Sequence, residues 1–335
     1  MFVQRNHENE MEALILTGKE KLEFGERELA VPEDHEIAVR VAAAAICRTD
    51  AKMWRAGHRD LVMPRVLGHE VCGAIDEAPG RLFAVWPGSA CGSCSMCRSG
   101  RENLCPEMKI TGFHRDGGFA GQLIAPRSSL VEVPKGVGAS LAVLAEPFAC
   151  AIHGVKQSSI RRADRVLIYG AGTLGILLAV AAINRGASVA MIDTNAEKLA
   201  RSAAFRNRYT IDADKPDAQE KFEIVLNATA SADTLESGIR RLAPGGRFCL
   251  FSGLGGVPES PATIFSELHY RELELVGSYG CTRQDMRDAL GLLSRYGHDL
   301  GFLVERAIRL DEAPAVMETV LAGTGFRQVI EFSDK

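Results

Sequence analysis

Residues 165–175 read Arg-Val-Leu-Ile-Tyr-Gly-Ala-Gly-Thr-Leu-Gly, an apolar run followed by three glycines in the pattern G-x-G-x-x-G. The run 165–169 predicts a buried strand, and residues 174–184 predict a helix. A glycine-rich turn between a strand and a helix is the context in which this pattern binds a dinucleotide. Gly170 would make the tight turn, Gly172 would admit a pyrophosphate to the backbone, and Gly175 would let helix and strand pack closely.

The segment that follows supports a dinucleotide site. The backbone amides of Thr173 and Leu174, at the start of the predicted helix, would face the phosphates. Residues 188–192 form a second apolar run that Asp193 follows, and a carboxylate there can accept from a ribose 2′-hydroxyl. Alternatively, Asp193 caps the next helix. No arginine follows it to bind a 2′-phosphate, so the sequence favours NAD over NADP.

Strands and helices alternate through this half of the chain. A helical pattern at residues 196–204 and a strand pattern at 222–228 precede a helical pattern at 233–242, and such alternation predicts βαβ units in one parallel sheet. The first half carries short strand patterns broken by turns, which predicts an irregular, mainly β domain. We therefore expect an α/β protein in which residues 11–156 form one domain and 157–290 a Rossmann-type domain, with 291–335 folding back onto the first.

Four cysteines lie close together in an irregular segment rich in Gly, Ser and Pro: Cys91, Cys94, Cys97 and Cys105. Four thiolates with C-x-x-C spacing are the donor set of a structural zinc site. The segment lacks the apolar residues for a core of its own, so metal binding would have to supply its folding energy. The alternative, four unrelated buried thiols, does not explain why they cluster in a polar segment.

Three further motifs carry side chains that bind metals: Cys47-Arg48-Thr49-Asp50, Gly68-His69-Glu70 and Glu146-Pro147-Phe148. Taken singly, Cys47 could be a core thiol, His69 a hydrogen-bonded loop histidine and Glu146 a charge at a helix start. Their order along the chain, with the four cysteines and the glycine turn, resembles that of the zinc-dependent medium-chain dehydrogenases, which include alcohol, polyol and threonine dehydrogenases. The resemblance covers about residues 11–335.

This resemblance implies a GroES-like catalytic domain that holds a second, catalytic zinc. The family's ligands fall on Cys47 and His69, with Glu70 and Glu146 as the carboxylates nearest the ion. Either glutamate could bind the zinc directly or through water. Alcohol dehydrogenases proper usually have a cysteine where Glu146 stands, whereas the polyol, glucose and threonine branches have a glutamate.

The residues that follow Cys47 are implied to serve proton transfer. Asp50 would orient His69, and Thr49 matches the hydroxyl that passes the substrate proton outward. The family often completes this relay with a histidine where the present chain has Lys52. Lys52 is therefore either a relay group or a solvated surface charge.

The resemblance further implies hydride transfer between NAD and a secondary alcohol or ketone. The glutamate at position 146 favours a polyol, sugar, cyclitol or amino alcohol as substrate. The alternatives are a simple alcohol dehydrogenase or aldehyde reductase, and a non-catalytic relative that keeps the fold. A homodimer or homotetramer is expected, with the strand around residues 273–276 as a candidate interface.

Composition excludes several other classes. The chain has 335 residues, of which 46% are hydrophobic and 24% charged, and a net charge of −4. These values are ordinary for a globular enzyme and give no reason to expect nucleic acid or membrane partners. No apolar run approaches the ~20 residues that span a bilayer. Residues 1–10 lack the apolar core of a secretory signal, so we interpret them as an extension and expect a cytoplasmic protein with reduced cysteines.

Overall fold

The computed structural model of the chain describes residues 10–28, 30–213, 219–256 and 261–332. The expected N-terminal extension therefore lies, except for its last residue, outside the described residues. The chain divides into a first unit, Met1–Glu146 with Thr282–Lys335, and a second unit, Pro147–Cys281. The limits expected from the sequence are 156/157 and 290/291. The chain crosses from the first unit to the second near the start of a helix, Ala145–Gln157.

The elements are numbered in chain order. The strands are β1 (Glu10–Gly18), β2 (Lys21–Glu28), β3 (Glu36–Ile46), β4 (Arg65–Val66), β5 (Glu70–Ala74), β6 (Leu82–Val85), β7 (Gly88–Ser89), β8 (Lys109–Ile110), β9 (Gln122–Pro126), β10 (Leu130–Glu132), β11 (Arg165–Tyr169), β12 (Ser188–Ile192), β13 (Phe222–Asn227), β14 (Leu242–Leu250), β15 (Glu274–Gly277), β16 (Val304–Ile308) and β17 (Arg327–Glu331). The helices are α1 (Arg48–Ala56), α2 (Ser95–Arg98), α3 (Ala139–Ala142), α4 (Ala145–Gln157), α5 (Thr173–Asn184), α6 (Ala196–Arg201), α7 (Ala203–Arg208), α8 (Asp233–Arg241), α9 (Pro261–Tyr270), α10 (Arg283–Leu300) and α11 (Ala313–Ala322).

The first unit is mainly β, as expected. Its sheets have the strand orders β2-β1-β4, β7-β8 and β10-β6-β5-β3-β17-β16, with β9 also paired to β3. The end of β3 meets the start of β5 through Ala45 and Glu70, and the start of β17 through Ile46 and Gln328. Because both pairings are antiparallel, the end of β3 and the starts of β5 and β17 meet at one edge of the sheet.

The second unit contains a parallel sheet in the order β12-β11-β13-β14-β15, which confirms the predicted α/β, Rossmann-type architecture. Helix α5 is apolar on all sides, and residues 175–182 are buried, as expected for a helix that is enclosed by its neighbours. Beyond β12, the described residues add only the parallel bridge of Ala190 with Asp212. None of the described helices has the length and hydropathy that crossing a bilayer requires.

One segment predicted as a single helix forms two helices in the structure. The pattern at residues 196–204 predicts a single helix, but the structure divides it at Ser202 into α6 and α7. The Ser202 hydroxyl donates to the carbonyl of Lys198 at 2.8 Å. A serine that bonds to the backbone one turn earlier competes with regular helix geometry, which accounts for the break.

Candidate metal centres and dinucleotide-binding turn

The sheet edge at the end of β3 carries the first candidate metal centre. Ligand atoms of Cys47, His69 and Glu70 lie within 4.8 Å of one another. His69 and Glu70 are buried, and Cys47 is half-buried at the N-cap of α1. One thiolate, one imidazole and one carboxylate are ligands that Zn²⁺ takes in catalytic sites, with a fourth position left for water or substrate. The donor set therefore fits a catalytic zinc.

Asp50 connects the segments that carry Cys47 and His69 through hydrogen bonds. Its fully buried carboxylate accepts hydrogen bonds from the amide of Cys47 at 2.9 Å and the amide of Gly68 at 3.2 Å. It also lies 3.2 Å from Nδ1 of His69. With the Nδ1 proton donated to Asp50, the lone pair of Nε2 is available to a metal, which is the usual arrangement around a metal-binding histidine.

The electrostatic surroundings of His69 favour a cation. Burial opposes charging of the imidazole, but the negative charges of Asp50 and Cys47 outweigh it and raise the pKa of His69 well above its usual value. A divalent cation bound at His69 would likewise be stabilised by the negative charges of Asp50 and Cys47. This agrees with the donor set.

Arg327 was not among the residues expected from the sequence. It donates from Nε to Oε2 of Glu70 at 2.8 Å and from Nη2 to Oε1 at 2.7 Å, and Nη2 lies 3.8 Å from the Cys47 sulfur. Burial opposes its charge, but Glu70, Cys47 and Glu146 raise the pKa of the guanidinium. The signal available in the sequence is an arginine next to the apolar residues Phe326, Val329 and Ile330, because an arginine that such a strand buries needs a partner.

The two candidate carboxylates differ in placement. Glu70 belongs to the group with Cys47 and His69, and both of its oxygens are engaged by Arg327. Glu146 stands in the first turn of α4 and is not part of that group, although its charge acts on Arg327. The geometry therefore gives the two glutamates different surroundings, which their sequence motifs alone do not distinguish.

The four clustered cysteines form the second candidate centre. The sulfur of Cys97 lies 3.5 Å from that of Cys94 and 4.0 Å from that of Cys91, and the sulfurs of Cys94 and Cys105 are 4.0 Å apart. Four sulfurs at about 2.3 Å from a tetrahedral zinc would be about 3.8 Å apart. Backbone N–H groups at residues 93 and 94 lower the pKa of the Cys91 thiol to about 6, whereas burial and the neighbouring thiols raise the pKa of Cys97 to about 12. The set fits a closed, structural zinc site.

Replacing Cys94 with serine should remove this zinc and destabilise the chain. The short helix α2 in this segment has no buried residue. Apolar packing therefore contributes little there, and the metal is the main source of order. We expect a loss of about one zinc per chain and a fall in Tm of roughly 5 °C or more, measured by metal analysis and calorimetry. Ser95→Ala, an exposed change in the same helix, is the control. Wild-type Tm and zinc content in Cys94→Ser would contradict the assignment.

The glycine turn after β11 has the geometry that phosphate binding requires. Gly170 has φ +110°, a conformation that other residues rarely adopt, and a Cβ on Gly175 would stand 1.8 Å from the Gly170 carbonyl oxygen. A Cβ on Gly172 would meet only the Lys198 ammonium, at 3.6 Å, so this face of the turn is open. The amides of Thr173 and Leu174 stand in the first turn of α5, where backbone donors are available to an anion.

Asp193 is attached to this turn and does not cap the next helix. Its carboxylate accepts from the amide of Ala171 at 2.6 Å and from the amide of Asn195 at 2.7 Å. The side chain of Asn195 is the N-cap of α6. Lys198 was not expected from the sequence, and its ammonium brings positive charge to the open face of the glycine turn.

A further residue missed from the sequence is Asn227, the last residue of β13. Its buried amide accepts from the amides of Phe251 and Ser252 at 2.8 and 3.3 Å and donates to the Thr229 carbonyl at 3.2 Å. It thereby fixes the loops that follow β13 and β14, at the carboxyl edge of the sheet where ligands of such folds bind. The available signal is a polar residue directly after the apolar run 224–226.

Comparison with known proteins identifies the family. Residues 33–135 match the model of the alcohol dehydrogenase GroES-like domain, and residues 173–295 match that of the zinc-binding dehydrogenases. L-galactonate-5-dehydrogenase of Escherichia coli K12 is 31% identical over 82% of this chain and 85% of its own length. D-altritol 5-dehydrogenase of Agrobacterium fabrum C58 is 31% identical over 84% of this chain and 87% of its own.

A solved structure gives the same result. A protein of Sinorhizobium meliloti 1021, described as a zinc-binding dehydrogenase bound to NADP, superposes with a TM-score of 0.85. The two sequences are 28% identical, and the match covers 96% of this chain and 99% of the other. The family models, the relatives and this fold agree with the donor sets and the glycine turn. The chain therefore belongs to the zinc-dependent medium-chain dehydrogenase superfamily.

Proposed function

We propose that this dehydrogenase interconverts a secondary hydroxyl and a ketone on a polyhydroxylated substrate, a sugar alcohol or the related sugar acid, with NAD as the hydride carrier. The observation that carries the proposal is the group formed by Cys47, His69 and Glu70, with Asp50 behind the histidine and Arg327 on the glutamate. The relatives that act on L-galactonate and D-altritol support a polyhydroxylated substrate.

In this proposal, bound zinc supplies a Lewis acid that lowers the pKa of the substrate hydroxyl, and bound NAD accepts the hydride. Cys47 and His69 are the fixed ligands of the catalytic ion. Asp50 holds the His69 ring so that Nε2 remains an acceptor toward the metal. Glu70 and Glu146 supply the carboxylates, and we assign the position nearer the ion to Glu70, since it belongs to the ligand group.

Proton release is assigned to the first turn of α1. Thr49 is half-buried next to Cys47, to whose sulfur its amide donates at 3.4 Å. Lys52 follows three residues later and is exposed, and residues three apart lie on the same face of a helix. In this assignment the hydroxyl of Thr49 takes the substrate proton, and the proton reaches solvent on the helix face that carries Lys52.

A substrate series tests the activity. Initial rates of NAD reduction should be measured for sugar alcohols, aldonic acids, cyclitols, β-hydroxy amino acids, 2-propanol and ethanol. We expect kcat/KM to be highest for a polyhydroxylated compound. A higher kcat/KM for ethanol or 2-propanol than for every polyhydroxylated compound would support the simple alcohol dehydrogenase instead. Absence of turnover with a full complement of zinc would support a non-catalytic relative.

The cofactor preference should follow from Asp193. Its charge would face the 2′-phosphate of NADP, and one like-charge contact costs more than about 1.4 kcal/mol. We expect kcat/KM for NAD to exceed that for NADP by at least about tenfold. Asp193→Asn keeps the side-chain oxygen but loses the charge, so it should reduce this preference. Equal kcat/KM for the two cofactors in the wild type would contradict the prediction, and the NADP-bound structure of the Sinorhizobium relative makes the test informative.

We also propose a homo-oligomer in a reducing, cytoplasmic setting. Strand β15 is bonded only to β14 within the described sheet, and Leu275 and the nearby Tyr279 are exposed. Unpaired, apolar strand edges of this kind favour association with another copy. None of the nine cysteines, all of which lie within the described residues, forms a disulfide, in keeping with a reducing compartment. Light scattering on the purified chain would test whether a dimer or tetramer forms.

A further inference from the structure

The ring of Phe113 packs against two histidines, one of which, His69, belongs to the first candidate metal centre. Its centroid is 5.5 Å from the ring of His69 and 5.3 Å from the ring of His58, in edge-to-face arrangements. Phe113 is 7% exposed although it stands in a loop after β8. The Phe113 ring therefore forms one side of the space around His69. Its position depends on how the backbone of the loop is held.

One arginine holds this loop. Arg65 donates from Nε to the carbonyl of Phe113 at 3.1 Å and to the carbonyl of Val62 at 3.0 Å. The amide of Val62 in turn donates to the Phe113 carbonyl at 3.1 Å. The side chain of Arg65 is 12% exposed, and its bond to the Phe113 carbonyl is partly buried whereas its bond to the Val62 carbonyl lies at the surface. Together the two bonds specify one position of the loop.

Asp116 in turn holds the guanidinium of Arg65. Its Oδ1 accepts from Nη1 of Arg65 at 2.7 Å and from the amide of Val66 at 3.1 Å, while its Oδ2 accepts from Nε of Arg27 at 3.0 Å. Val66 lies three residues before His69 in the sequence. The network therefore joins the loop that carries Phe113 to the segment that carries the metal ligand.

We propose that Arg65 is a positioning residue for the substrate: it holds the Phe113 ring against His69 and so sets the shape of the space next to the metal centre. The inference rests on the proposed function, because it assigns the substrate to that space. A lysine cannot replace this arginine, since its single ammonium cannot reach two carbonyls and a carboxylate in the fixed fork that the guanidinium supplies.

Arg65→Lys tests the proposal, with Arg27→Lys as its matched control. Both changes keep a positive charge beside Asp116, but Arg27 has no bond to the carbonyls of Val62 or Phe113. In Arg65→Lys we expect KM for the alcohol to rise about tenfold or more, as small displacements of positioning groups do. The kcat for the alcohol, the Kd for NAD and the zinc content should change little. Arg27→Lys should behave as wild type.

Hydrogen exchange of the holoenzyme gives a readout besides activity. Peptides covering residues 111–118 should exchange faster in Arg65→Lys than in Arg27→Lys, since only the first change loses the bonds to the loop. If exchange does not change, Arg65 does not hold the loop and the proposal is overturned. If exchange rises but KM stays constant, the loop is held but does not shape the substrate site, which also overturns it.

A double variant separates positioning from general stability. If Arg65 acts through the ring, adding Arg65→Lys to Phe113→Ala should raise KM no further than Phe113→Ala does alone. Additive effects on KM would overturn the proposal. Should Arg65→Lys fold poorly, Phe113→Leu tests the role of the ring directly. A KM for the alcohol within about twofold of wild type in that variant would count against the proposal. If the wild type oxidises no alcohol, the proposed function fails, whereas the exchange experiment still decides whether Arg65 holds the loop.

Discussion

Cys47→Ala should leave a folded protein that has lost one zinc per chain and almost all activity. Cys47 supplies the thiolate of the group with His69 and Glu70, and a tetrahedral ion left with two protein ligands binds weakly. Because Lewis-acid stabilisation contributes several kcal/mol, we expect kcat/KM to fall at least about 10³-fold. Metal analysis and steady-state rates on the same preparation measure both effects.

The second zinc is the internal control for this experiment. It should stay bound by the four clustered cysteines, so the Tm should change far less than in Cys94→Ser. Cys249→Ala, which removes a buried thiol from β14, controls for the loss of any cysteine. Wild-type rates in Cys47→Ala, or a wild-type enzyme that turns over with one zinc per chain, would contradict a catalytic role for this centre.

The parts of the fold that the sequence predicted are those set by local patterns. The strand Arg165–Tyr169, the turn at Gly170 and helix α5 follow from an apolar run, a positive φ and a close backbone approach, all within about twenty residues. The four-cysteine site is equally local, because its ligands are supplied by one short segment. Such features need no knowledge of which distant strands pair.

The parts that were missed depend on long-range register. Arg327 reaches Glu70 only because β17 pairs with β3 at Ile46 and Gln328, while β5 pairs with β3 at Ala45 and Glu70. No local pattern specifies these pairings, since a strand of five residues can bond to any free edge. Asn227 was missed for a similar reason, because its partners follow a different strand. The break at Ser202 was missed because serine suits a helix or a turn equally.

The two glutamates show the same limit at the level of the site. The sequence places Glu70 and Glu146 in motifs of equal standing, and family resemblance leaves either as the ligand. One difference between them is that Arg327 engages both oxygens of Glu70 in a buried ion pair. The state of Glu70 in the enzyme is therefore coupled to a residue 257 positions away in the chain.

Arg327→Met should strongly destabilise the first unit. Removing one partner of a buried ion pair leaves the other charge without compensation, which costs about 3–5 kcal/mol of unfolding free energy. The side chain of Glu70 is fully buried and that of Arg327 is 10% exposed, so water can compensate little. Arg306→Met, in the adjacent strand β16, removes an exposed pair with Glu312 and should cost less than about 1 kcal/mol. Chemical denaturation of both variants, each without the zinc of the first centre so that no ion replaces the lost positive charge, gives the comparison.

The companion variant Arg327→Met with Glu70→Gln decides the cause of this loss. If the loss comes from the stranded carboxylate, neutralising Glu70 should recover most of the stability, because a neutral amide is far less costly to bury than a charge. Recovery of stability without recovery of activity would mean that the Glu70 charge serves the metal centre as well as the fold. If the double variant is no more stable than Arg327→Met, the arginine stabilises the sheet edge by packing. If Arg327→Met loses no more than Arg306→Met, the buried pair does not hold Glu70, and the different placement of the two glutamates must have another origin.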